Sequence, residues 1–122
     1  MKDGPLSGLL VADFSRVLAG PYLTMTLGDL GADVIKVERP GTGDDTRTWG
    51  PPWTPSGMAS YYVGLNRNKR SVTLDLNDHG DRELARELAT RADVMVENFR
   101  PGTLARFGLD YESVRERNPG SI

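Results

Sequence analysis

Apolar residues recur along this chain with two periods, one suited to short buried strands and one to the helices that cover them. Residues 8–14 form a short apolar run that reads as a strand. After Gly20-Pro21, the residues Tyr22, Met25, Leu27 and Leu30 fall at spacings that fit one helical face, with Pro21 suited to the first turn and Gly31 to the stop. Residues 32–38, with Val34, Ile35 and Val37 as apolar content, read as a second strand, so a right-handed parallel crossover is predicted. Residues 71–76 alternate, with Val72, Leu74 and Leu76 on one face and Thr73 and Asp75 on the other, which is a third strand. Asp78 is placed to cap a helix whose stripe is Leu84, Leu88 and Ala92, with the charged residues of 81–91 covering the rest. Residues 93–96 read as a fourth strand, 103–107 and 113–117 as short helices, and Asn118-Pro119-Gly120 as a turn. Ser121-Ile122 looks like the opening of a fifth strand.

Residues 40–60 differ in character. Gly41, Gly43, Gly50 and Gly57 interleave with Pro40, Pro51, Pro52 and Pro55, a density of breakers that forbids a long regular element. A loop of this length is commonly a functional lid or a disordered segment, and Trp49 and Trp53 argue that something packs there. The expected fold is α/β: a Rossmann-like open parallel sheet with flanking helices, one domain over residues 1–122, broken off before the fifth strand.

A chain of 122 residues can bury about two thirds of its unfolded surface, enough for one real core. Its 15 Lys and Arg against 17 Asp and Glu leave a net charge of -2, so nothing draws it broadly to nucleic acid or to an anionic membrane, and any anion site must be local. No apolar run is long enough to span a bilayer. With no cysteine and no hydrophobic signal core after Met1, the expected location is cytoplasmic.

Candidate chemistry gathers at the ends of the strands. The turn at residues 17–21 puts backbone N–H groups at a helix start, where the helix dipole favours an anion, although a plain strand-to-helix turn accounts for it equally well. Glu38 stands where a dinucleotide fold keeps its ribose-binding acid, but G-x-G-x-x-G is missing and Gly20 stands alone, which argues against NAD. Arg39 is suited to pair with phosphate or stack on an adenine, with a solvated arginine as the bland alternative. The cations among residues 66–70 form either a solvated turn or, beside Arg39 and Arg106, part of a positive rim. Asn98 and Phe99 offer an amide and a stacking face, or else a capped turn over a buried ring. Asp13, Asp75 and Asp93 read as capping or solvated, and His79, the only histidine, lies on a charged helical face. No metal-ligand spacing is present.

Four short signatures follow one another: Arg16-Val17-Leu18-Ala19-Gly20-Pro21, residues 31–40 (GADVIKVERP), residues 66–71 (NRNKRS) and residues 96–102 (VENFRPG). In this order, over residues 6–122, they resemble the amino-terminal region of the family III CoA-transferases, which also contain acyl-CoA racemases. The resemblance implies CoA transfer between carboxylic acids through acyl-CoA thioesters, with coenzyme A as substrate, no metal, and interlocked homodimers. Carried over by position, it implies CoA contacts from Val17, Leu18, Ala19, Arg39, Leu74, Asp75, Leu76, Asn77, Asn98, Phe99, Arg100 and Arg106. Asn77 stands where the family often has a lysine, and Leu18 where oxalate and formyl transferases have a glutamine, which argues against that substrate class. The acyl-accepting aspartate is expected beyond the position of Ile122, as are the His and Asp bases of the racemases. Acyl-CoA racemisation is the alternative reaction. A stand-alone, catalytically inactive nucleotide-binding module is the alternative from a different class.

Overall fold

A computed structural model describes residues 3–122. Four strands, β1 (Leu10–Asp13), β2 (Asp33–Glu38), β3 (Lys69–Thr73) and β4 (Val94–Val96), pair in the order β3-β2-β1-β4, every pair parallel. That is the first half of a doubly wound sheet, and it sends all four carboxyl ends to one edge. Four α-helices connect and cover the strands: α1 (Ala19–Asp29), α2 (Ser60–Leu65), α3 (His79–Arg91) and α4 (Tyr111–Arg117). Single 3-10 turns lie at Asp45–Thr48 and Leu104–Phe107.

The alternation along β1 divides the core. Val11 points into a layer with Ala32, Val34 and Leu27, while Ala12 and Phe14 face a larger cluster with Val37, Leu74, Ala85, Ala89, Leu104, Leu109 and Val114. Beyond β4, Ile122 donates to Asp93 O at 3.2 Å and its own carbonyl accepts from Met95 N at 2.9 Å, the pattern of a parallel ladder.

Several expectations shift. The third strand runs Lys69–Thr73 rather than 71–76: Leu74 still donates its N–H to Glu38 O at 3.0 Å and is buried in the core, and the regular ladder stops there. Residues 40–60 hold no long element, as expected, but they contain the 3-10 turn at Asp45–Thr48 and lead directly into α2, a helix the pattern did not announce. The expected face of α1 holds only in part: Met25 is buried and Leu27 packs on the core, but Tyr22 and Leu30 are exposed, and the other buried positions are Gly20, Pro21, Thr24 and Gly28. Small residues bring α1 close to the sheet, and a Cβ on Gly20 would overlap the Ser15 side chain. In α3 the buried stripe is Ala85 and Ala89, while Leu84 is exposed. The Asp78 cap stands, its carboxylate accepting from Asp81 N at 2.9 Å.

Candidate functional site

The residues that leave the strands surround one cavity of about 460 Å³ at the carboxyl edge of the sheet. Phe14 and Arg16 reach it from β1, Val37 to Pro40 from β2, Leu74 to Asn77 from β3, and Phe99 from the segment after β4. Thr103, Arg106 and Phe107 close the far side. Seven of the residues singled out in the sequence meet here: Arg39, Leu74, Asp75, Leu76, Asn77, Phe99 and Arg106. Aliphatic and aromatic side chains make up much of the lining, together with three arginines, Arg16, Arg39 and Arg106, of which Arg39 is paired with Asp45 at 2.6 Å.

The five other candidates stand apart from the cavity wall. Val17 occupies the turn before α1 with φ 74°, a left-handed conformation that is rare for a β-branched residue. Leu18 is half exposed at the start of α1, and Ala19 is exposed as its first residue. Asn98 brackets the main chain of Arg16, accepting from Arg16 N at 3.0 Å and donating to Arg16 O at 2.7 Å. Arg100 is exposed, and its carbonyl accepts from Thr103 N.

Under the cavity lies a buried ionic layer. Lys36, 1% exposed, donates to Asp44 Oδ2 at 2.9 Å and to Ser15 O at 3.1 Å. Asp44 also accepts from Thr46 N and Thr46 Oγ1. Burial alone would raise the Asp44 carboxyl, but Lys36 and Thr46 together bring it below the usual carboxylate range. Asp13 accepts from the Ser15 hydroxyl, from Thr24 Oγ1 at 2.6 Å and from Lys69 Nζ at 3.1 Å. Of the two readings of Asp13, the capping one holds, since its carboxylate also accepts from Ser15 N at 2.9 Å, and the solvated one is wrong, since the residue is fully buried in this layer. Burial pushes the Lys69 ammonium down to about 8, with the charge of Asp13 opposing the shift.

Glu38 is equally committed. Its carboxylate receives two bonds from Arg47 at 2.7 Å, one from Asp44 N at 2.9 Å and one from the Tyr62 hydroxyl at 3.0 Å. Burial works against its ionisation, yet these donors outweigh it and hold the group at about 2. A ribose-binding role is thereby closed to it. The cations of residues 66–70 are absent from the cavity wall. Arg67 pairs with Asp29, Arg70 with Asp33, and Lys69 turns inward to Asp13, so each is neutralised by a carboxylate of β1, β2 or α1.

Sequence reasoning missed Arg16, Asp44 and Phe107 as wall residues. Arg16 opens the first signature and Phe107 follows Arg106, so both were in view; Asp44 was hidden in a glycine-rich loop whose path only the fold reveals. Among the described residues, no group of three His, Cys, Asp or Glu is placed to hold a metal ion. No described helix is long and apolar enough to cross a membrane.

Comparison with known proteins points the same way. Residues 6–122 match the family model for CoA-transferase family III. A human succinyl-CoA:glutarate CoA-transferase is 53% identical over 97% of this chain, which spans 27% of that protein. A succinate–glutarate CoA-transferase of Agrobacterium fabrum is 52% identical over 99% of the chain and 32% of its own length. Among solved structures, a CaiB/BaiF family protein from Brucella suis superimposes with a TM-score of 0.93 at 52% identity, over 99% of this chain and 32% of that one. The chain thus spans about a third of the length of these relatives, and it belongs to CoA-transferase family III.

Proposed function

We propose that this protein carries the CoA-binding part of an enzyme that transfers CoA between carboxylic acids, and that its cavity takes the nucleotide end of CoA. The observation that carries the reading is that Arg39 and Arg106 line, with several apolar side chains, one cavity at the carboxyl edge of a parallel sheet. Guanidinium groups suit phosphate, and the neighbouring Phe99 and Phe107 suit an adenine or the apolar parts of pantetheine. The turn at residues 16–19 begins with Arg16 on the cavity wall, which supports a role for it beside the thioester end. The names of the human and Agrobacterium relatives support short dicarboxylates such as succinate and glutarate. Homodimeric assembly and a cytoplasmic location belong to the same proposal. Tyr22, Leu23, Trp49, Trp53 and Val63 are exposed apolar groups that support a partnered face, which sedimentation would test.

Calorimetry tests the phosphate assignment. CoA should bind more tightly than dephospho-CoA, and Arg39→Ala should cost about 1–3 kcal/mol, the range for a hydrogen bond to a charged group. Equal affinity for the two ligands would exclude it.

A further inference from the structure

The main chain at residues 15–17 is held by side chains that come from three separate parts of the fold. Lys36 on β2 donates to Ser15 O at 3.1 Å. Asn98, after β4, pairs with both the N–H and the C=O of Arg16. Asp44, in the loop after β2, accepts from Val17 N at 3.3 and 3.4 Å, and is itself fixed by Lys36 at 2.9 Å. The residue so held, Val17, sits at φ 74°, a conformation that a β-branched residue keeps only when its surroundings impose it. Strain of this kind, over-determined from several sides, is what a preorganised binding turn requires. The same clamp places the Arg16 guanidinium 4.7 Å from the centre of the Phe99 ring, on the cavity wall.

We propose that Asn98 and the Lys36–Asp44 pair are positioning residues that lock this turn in its ligand-receiving form, with Asn98 acting through the Arg16 main chain rather than by an amide contact of its own with CoA. Both functions of the Asn98 amide are engaged on Arg16 at good hydrogen-bond distance, whereas the exposed Asn98 is absent from the cavity wall to which its neighbour Phe99 contributes. This inference rests on the reading that the cavity takes CoA, and it extends that reading by separating residues that touch the ligand from those that shape what touches it.

Two measurements on the 122-residue protein test it. In the ligand-free state, Asn98→Ala should speed hydrogen exchange at the Val17 amide, which Asn98 does not itself bond, while the Met95 amide in the sheet keeps its protection. In calorimetry, Asn98→Ala should weaken CoA about three- to tenfold, because the two hydrogen bonds it removes act on CoA only through the turn. Adenosine 3′,5′-bisphosphate, which has the nucleotide end only, should bind as before. Val17→Gly lets the turn adopt its left-handed φ without strain and without touching Asn98, so adding Asn98→Ala to it should cost little further CoA affinity. Unchanged Val17 exchange, or a full further loss of CoA affinity in the double variant, would overturn the proposal in favour of direct contact. Failure of the unaltered protein to bind either ligand would instead overturn the CoA reading, and the exchange experiment would still decide the role of Asn98.

Discussion

Glu38 ends β2 with its carboxylate withdrawn from water and surrounded by donors, so its ionisation is tied to folding. Its acidity is raised from the ordinary 4.5 to about 2 in the folded protein. A carboxyl depressed on folding adds stability above its unfolded value and loses it as pH falls through the window between the two. The contribution is on the order of 3 kcal/mol near neutrality, taking about 1.4 kcal/mol per pH unit. Urea denaturation should therefore show stability falling between about pH 4.5 and about 2, and Glu38→Gln should flatten that slope. A second residue-scale effect involves Arg39, whose guanidinium is bonded to Asp45 at 2.6 Å with both side chains half exposed. Asp45 competes for the group assigned to a ligand phosphate. Asp45→Asn should then tighten CoA binding by a few-fold, since an exposed pair of this kind contributes roughly 0–1 kcal/mol; weaker binding in calorimetry would show that Asp45 orients Arg39 rather than competing with the ligand.

At the scale of elements, periodicity located the four strands and the helices 19–29 and 79–91, but misjudged which faces are buried. The reason is physical. Hydrophobic patterns assume that large apolar side chains fill the interface, whereas α1 approaches the sheet through Gly20, Pro21 and Gly28 and leaves Tyr22 and Leu30 outside. The helix α2 was illegible for the same reason: its sequence, SYYVGL, has only Tyr62 buried, and that tyrosine earns its place through the hydroxyl that meets Glu38. The loop between β2 and α2 reads as open from its glycines and prolines, yet Asp44 and Thr46 are fully buried and nail it to Lys36. Because that pair is buried, removing one partner leaves an uncompensated charge. Asp44→Ala should cost about 3–5 kcal/mol, while Lys36→Met combined with Asp44→Leu should recover a large part of the loss. Equilibrium unfolding of the three proteins compares them, and equal losses in the single and double variants would mean that the bonds from Asp44 to Thr46 and Val17, not the charge pair, hold the loop.

For the molecule as a whole, the part of the site most legible in the sequence was the rim, since residues just past parallel strands must share one edge once the strands are known. The buried ionic layer was not legible: Asp13, Lys36, Asp44 and Lys69 are spread over 57 positions of sequence, and no local pattern joins them. That layer bears on catalysis. Three carboxylates line the cavity, and each is engaged: Glu38 by Arg47, Asp44 by Lys36, and Asp75 by the Asn77 N–H at 2.9 Å. An acyl-accepting nucleophile needs a carboxylate free to attack a thioester, and a group held by a buried cation or locked into a turn is poorly suited to that. Binding through phosphate contacts stabilises ground and transition states alike and does not by itself raise turnover. A polypeptide of these 122 residues should therefore bind CoA in calorimetry yet show no exchange of CoA between succinyl-CoA and labelled glutarate. Transfer above background by the pure polypeptide would show that a residue within 1–122 does the chemistry, and Asp75→Asn, which touches neither ion pair, would then be the first variant to examine.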